Sequence, residues 1–192
     1  AGDLDGAVRC LLATLPDDTQ RVLAMAVVVG NEFWAGTLRD LGAPNVEAAL
    51  EQLVQAGLIV RRAASRYRGD REYRLTSALR RRVAYDLLPP AERRTLHARV
   101  ANWIARQGRT DLEDGQRLAW HLHKGGQPEQ AAILLARLAK AARIVGSDEE
   151  AEQLYTQAWV LSADPALQRK VEVALRAMRM RSRRSAAPER AV

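Results

Sequence analysis

The stretch Asn45-Val46-Glu47-Ala48-Ala49-Leu50-Glu51-Gln52-Leu53-Val54-Gln55-Ala56-Gly57-Leu58-Ile59-Val60-Arg61, with Glu72-Tyr73-Arg74-Leu75 beyond it, decides how this chain folds. Asn45 offers a side-chain oxygen to the orphan amides of a helix start. Val46, Leu50, Leu53 and Val54 then fall on one helical face, and Gly57 stops the helix. Two runs of strand-forming residues follow, 58–61 and 72–75. Between them Ser65-Arg66-Tyr67-Arg68-Gly69-Asp70 carries a Gly-Asp pair suited to a turn. The expectation is a helix running directly into a two-stranded β-hairpin.

Upstream, residues 6–15 read as a short helix ended by Pro16. Asp17, Asp18 and Thr19 supply N-cap oxygens for a second helix, through Val22, Leu23, Met25 and Ala26 to Val29. The β-branched run Val27-Val28-Val29 also suits a strand, but the signals framing it favour helix. A third short helix over 34–41 closes at Gly42 and Pro44. Three helices followed at once by a hairpin is the order of a winged helix.

Downstream the pattern is helical throughout. Ser77 or Thr76 caps a helix through Leu79, Val83, Ala84 and Leu87, and Pro89-Pro90 opens another with Leu96, Val100, Trp103 and Ile104 as its apolar stripe. Helices recur from Leu112, broken at Gly125-Gly126-Gln127 and Gly146-Ser147. Leu135, Leu138, Ala139 and Ala142, then Ala151, Tyr155 and Ala158, stand at the offsets of a tetratricopeptide repeat, a unit of about 34 residues. Small residues there let two antiparallel helices approach, with the tyrosine filling the gap beside them. A weaker copy runs through Leu118, Ala119, Leu122 and Ala131. The fold expected is mainly α: an N-terminal linking helix (1–15), a winged-helix domain (16–76), linking helices (77–108), tetratricopeptide-like hairpins (109–165), and a basic amphipathic helix with a disordered tail from Ser185 (166–192).

With 192 residues and 47% hydrophobic composition, the chain can bury a core unaided. One cysteine, Cys10, excludes a disulfide framework; set in an apolar stretch, it reads as a small buried hydrophobe. No apolar run is long enough to span a membrane, and residues 1–5 carry two acids and no basic leader. A cytoplasmic protein is expected, as a segment of something longer.

Catalytic chemistry finds no foothold in the spacing. None of the lysines Lys124, Lys140 and Lys170 follows a phosphate-loop pattern. His121 and His123 stand two apart on a helix, point apart, and with His97 read as surface residues, so no metal site is expected. Asp148, Glu149, Glu150 and Glu152 read as macrodipole partners at a helix start. The expectation is no catalytic residue, no metal and no cofactor in this segment.

The net charge of +7 raises nucleic acid as a partner. The helix over 45–56, which would read the major groove, carries Glu47 and Glu51 and no cation. The wing does hold Arg61, Arg62, Arg66, Arg68, Arg71 and Arg74, which suit a grip on phosphates without reading sequence, and equally a solvated hairpin or a dock for an acidic domain of the same protein. The alternative reading is a DNA-binding transcriptional regulator that contacts phosphates through this basic wing, with nucleic acid the second choice of partner. Near the end, Leu167, Val171, Leu175 and Met178 form a stripe among Arg169, Lys170, Arg176, Arg179, Arg181, Arg183 and Arg184. That pattern fits a further helix of the stack, an anionic lipid surface or an acidic partner.

Taken in order, several stretches resemble one family. They are Leu15-Pro16-Asp17-Asp18-Thr19-Gln20-Arg21-Val22-Leu23, Ala26-Val27-Val28-Val29-Gly30-Asn31-Glu32-Phe33, Leu50 through Leu58-Ile59, and Tyr73-Arg74-Leu75-Thr76-Ser77-Ala78-Leu79-Arg80. Val83-Ala84-Tyr85, Arg94-Thr95-Leu96-His97, Leu118-Ala119-Trp120-His121 and the repeat ending at Ala158 continue the series. Over 15–161 the chain resembles the part of bacterial STAND signal-transduction ATPases that follows their nucleotide-binding module. The resemblance implies a regulatory role. The winged helix would pack on the nucleotide module, which binds ATP or ADP, while the helical arm receives a protein or small-molecule signal. Related receptors often place a histidine at the start of the helix after the wing, within reach of the bound diphosphate. Here that position is Ser77, which carries no titratable charge, with Arg80, Arg81 and Arg82 beside it.

Overall fold

The computed structural model describes the backbone of residues 2–185 and the side chains of residues 5–180. Among these the chain is mainly helical, with ten helices and one small three-stranded antiparallel sheet. It divides into two units at Gln107/Gly108.

The first unit contains α1 (Gly2–Ala13), α2 (Asp17–Val29), β1 (Glu32–Trp34), α3 (Ala35–Asp40), α4 (Val46–Gln55), β2 (Ile59–Arg61), β3 (Glu72–Leu75), α5 (Ala78–Leu87) and α6 (Pro90–Arg106). At its centre, α2 packs against α4, α5 and α6. Val27, Val28 and Val29 are all buried in α2, so tertiary packing on every side outweighs their strand propensity. The helices expected to act only as links belong to this body: α5 packs on α1 and α2, and α6 on α2 and α3.

Several local expectations are corrected. The hairpin is joined by a third strand, because β1 pairs with β3 on the side away from β2, in the order β1-β3-β2. The registers are Phe33↔Tyr73 and Ile59↔Leu75. Trp34 therefore ends a strand, and α3 begins one residue after it. The N-cap of α2 is Pro16, with no side-chain bond; Asp17 and Asp18 lie in the first turn, favouring the macrodipole. Asn45 does stand at the N-cap of α4, in the left-handed region (φ 42°), but its amide donates to Asp18 Oδ2. Ser77 caps α5, its hydroxyl accepting from Arg80 N at 3.3 Å. Cys10 is exposed, because α1 turns Leu12 inward instead.

The second unit is a stack of α7 (Leu112–Lys124), α8 (Pro128–Ile144), α9 (Asp148–Leu161) and α10 (Pro165–Ser185), each packed on the next. Asp111 caps α7, accepting from Asp114 N at 3.1 Å. Gly115 lets α7 approach α8, since a Cβ there would lie 2.7 Å from Leu138. Leu135, Ala139, Ala142, Ala151, Tyr155 and Ala158 are buried in one cluster with Leu154, and Leu138 packs against it partly buried. Val171 and Met178 of α10 close that cluster, with Leu167 and Leu175 beside them. Ser185, expected to open the tail, is instead the last residue of α10; the expected disorder over 186–192 and the side chains of Arg181, Arg183 and Arg184 lie outside the described residues.

Candidate functional site

The arginine-rich connection between β2 and β3 is folded back onto its own unit. Tyr67, in the middle of that loop, is buried between Trp34 and Trp103 of α6, with edge contacts at ring separations of 4.6 and 5.0 Å. The two indoles stack on each other at 5.9 Å. Asp70 accepts the Gly36 N–H at the start of α3, its two oxygens 2.9 and 3.0 Å away. Glu72, buried at 6% exposure, accepts from Trp34 Nε1 at 3.1 Å and from the Arg66 N–H at 2.7 Å, with Arg62 Nε 3.5 Å away. Hairpin loops usually lie free in solvent; this one is pinned at three points.

Pinning sorts the expected basic cluster. Arg62 faces Glu72, and Arg71 reaches Glu47 Oε1 at 3.3 Å. Arg39 also bonds that oxygen, at 3.1 Å. The Arg39 hydrogen bond, aided by both positive charges, holds the Glu47 carboxyl below its ordinary pKa. Arg61, Arg62, Arg68 and Arg74 present exposed side chains, Arg62 among them lying beside the buried Glu72, while Arg66 and Arg71 are half-buried, so the six arginines do not form one uniform cationic surface. The exposed face of α4 carries Glu47 and Glu51.

Ser77 and Arg80 lie together at the start of α5. Beyond the capping bond, Arg80 Nη1 approaches the Gly57 carbonyl at 3.4 Å, and the Thr76 hydroxyl donates at 2.8 Å to the same carbonyl. These groups tie α5 to the turn after α4. Arg82 pairs with Asp5 of α1 at 2.7 Å.

Two histidines expected at the surface are buried. His97 is 1% exposed, its Nε2 lying 3.0 Å from the Tyr85 hydroxyl, and His121 is fully buried. Arg93 covers the Tyr85 ring at 4.8 Å from its centre. Helical spacing placed these side chains on helices without revealing which face turned inward. Among the described residues no group of three or more His, Cys, Asp or Glu is arranged to hold a metal ion, and no helix is long and apolar enough to cross a membrane.

Each unit has an open apolar groove that the sequence did not single out. In the first, about 460 Å³ is lined by Leu12, Leu15, Leu23, Met25, Leu87 and Leu88, with polar Asp17, Asp18, Gln20, Arg21 and Glu92. In the second, about 370 Å³ lies between α7 and α9 over Leu135, lined by Ala119, Trp120, Val160 and Leu161, with polar Gln116, His123, Thr156 and Gln157. His123 Nδ1 is buried there with no hydrogen-bond partner.

No family model matches the chain, and no curated protein matches it.

Proposed function

We propose that this chain is a non-catalytic regulatory and protein-interaction segment of a cytoplasmic STAND-type signal-transduction ATPase. In this reading the first unit is a winged helix that docks on a nucleotide-binding module of the same protein, where ATP or ADP is held. The second is a tetratricopeptide-like arm that receives a protein or small-molecule signal. The order α2, β1, α3, α4, β2, β3, with β1 joining the hairpin through β3, supports the winged-helix assignment. Burial of the repeat-register residues in one α8–α9 cluster supports the second.

The observation carrying the functional choice is the state of the two elements that would hold DNA. The outer face of α4 is acidic, and Glu47 there draws in Arg39 and Arg71. The connection that would reach along a phosphate backbone is fastened down through Tyr67, Asp70 and Glu72. Carboxylates at the groove-reading position oppose DNA, whereas mixed charge over a rigid apolar body suits a protein surface. Ser77 and Arg80 are the residues of this unit assigned nearest to the nucleotide. Ser77 gives its hydroxyl to a helix cap, so its part is to position α5 rather than sense charge.

Nucleotide hydrolysis and exchange by the protein carrying the nucleotide module, with and without this segment, test the proposal. Removal should raise both rates by releasing the closed state; unchanged rates would overturn it.

A further inference from the structure

We propose that the outer face of α9 is a docking trough for a peptide segment of a partner protein bearing a large apolar side chain at one end and basic side chains at the other. Two hollows on this face share Thr156 and Gln157. One continues to the apolar pocket at Trp120 and Val160; the other reaches Glu149 and Glu152. Glu149, Glu152, Gln153, Thr156, Gln157 and Val160 recur at helical spacing, so the trough follows a single stripe of α9, about 16 Å long at 1.5 Å per residue.

Its two ends differ in chemistry. The pocket end exposes Trp120 (38%) and Val160 (68%) and offers about 370 Å³, room for a large side chain. The other end is lined by Glu149 and Glu152, with Asp148 and Glu150 beside Glu149 in the first turn of α9, on a chain whose net charge is +7. The molecule already displays the complementary chemistry. On the core side of α9, α10 buries Val171 and Met178, and at the edge of the stripe it already places Arg179 Nε 3.0 Å from Glu152 Oε1. A basic, apolar segment is therefore what α9 accepts within its own chain. An incoming backbone also supplies both N–H and C=O groups, the first able to donate to the unpaired His123 Nδ1 when it is unprotonated and the second to accept from it when it carries the hydrogen. In an extended peptide the apolar and basic ends would lie about five residues apart.

This inference rests on the helical unit being a partner-receiving arm. Its test uses the 192-residue chain alone, so failure removes the trough while docking on a nucleotide module is judged separately by the hydrolysis assay. Phage displaying random dodecapeptides are panned on the chain, and the enriched peptides are labelled with fluorescein and titrated. Enrichment of arginine or lysine about five positions from a large apolar residue is expected. Val160→Glu and, separately, Glu149→Lys with Glu150→Lys should each weaken binding about tenfold or more. Helical circular dichroism and urea unfolding establish that these variants are folded. The charge-reversed protein should also lose the salt sensitivity of the wild type. Absence of enrichment, selection of acidic or uncharged peptides, or affinities indifferent to both folded variants would overturn the proposal. So would a change in the sedimentation of the chain itself on Val160→Glu, which would mark the trough as a contact between copies.

Discussion

The Asp70 carboxylate holds the Gly36 N–H with both oxygens, and a side chain on Gly36 would overlap that carboxylate. This bond joins the β2–β3 connection to the start of α3 across 34 positions of sequence. Asp70 thus stabilises the helix start and the hairpin together.

Asp70→Ala should cost about 1–2 kcal/mol, the magnitude of hydrogen bonds to a charged group at a partly exposed site. Gly36→Ala should cost a similar amount by driving the carboxylate aside. Urea unfolding gives the energies. Faster amide exchange over 62–71, with the exchange of α2 less altered, would show that the loop has been unpinned.

Glu72→Ala leaves the Trp34 indole N–H and the Arg66 N–H without their acceptor in a buried setting. The expected loss is about 2–3 kcal/mol, with Glu72→Gln costing less because one acceptor oxygen survives. Unfolding followed by tryptophan fluorescence reads this, since Trp34 and Trp103 stack beside the site.

Glu47 has a depressed pKa, caused first by its hydrogen bond from Arg39. A carboxyl depressed in the folded state contributes stability that is present above its unfolded pKa and lost as pH falls through its folded value. Glu47→Gln should therefore flatten part of the acid-side decline in stability at and below the ordinary carboxylate range. Because the pair is exposed, the difference should be small and should fade in 0.5 M salt. Melting curves of both proteins from neutral to acid pH, at low and high salt, check it.

In the second unit, Leu154→Ala should cost about 2–5 kcal/mol by opening a cavity at a fully packed site. Ala139→Leu should cost about 1–3 kcal/mol for the opposite reason, as no space remains where α8 meets its neighbours. Thermal unfolding by circular dichroism measures both.

How far these elements were legible in the sequence follows from the range of the forces that set them. α2, α4, the hairpin and α6 carry their own periodicity and stop signals, and those elements form. β1 has three residues and no periodicity of its own; only pairing with β3 makes it a strand. Asn45 occupies its expected place yet gives its side chain to Asp18, a partner in another helix that local pattern could not reveal. His97, His121 and Cys10 failed alike: spacing fixed the helix, but burial depended on neighbours distant in sequence. The six arginines were visible as a cluster. The acids that draw on Arg62 and Arg71, and the Tyr67 anchor that fixes their loop, emerge only in three dimensions.

The choice of a protein over a nucleic acid as partner of the first unit is tested most directly by binding of fluorescein-labelled duplex DNA to the chain across 50–300 mM salt, with and without Arg61→Gln, Arg68→Gln and Arg74→Gln combined. The expected result is weak binding, vanishing by physiological salt and of equal strength on every duplex sequence. Saturable binding that persists at physiological salt, with a logarithmic slope of about −3 for three phosphate contacts and loss on the triple substitution, would contradict it.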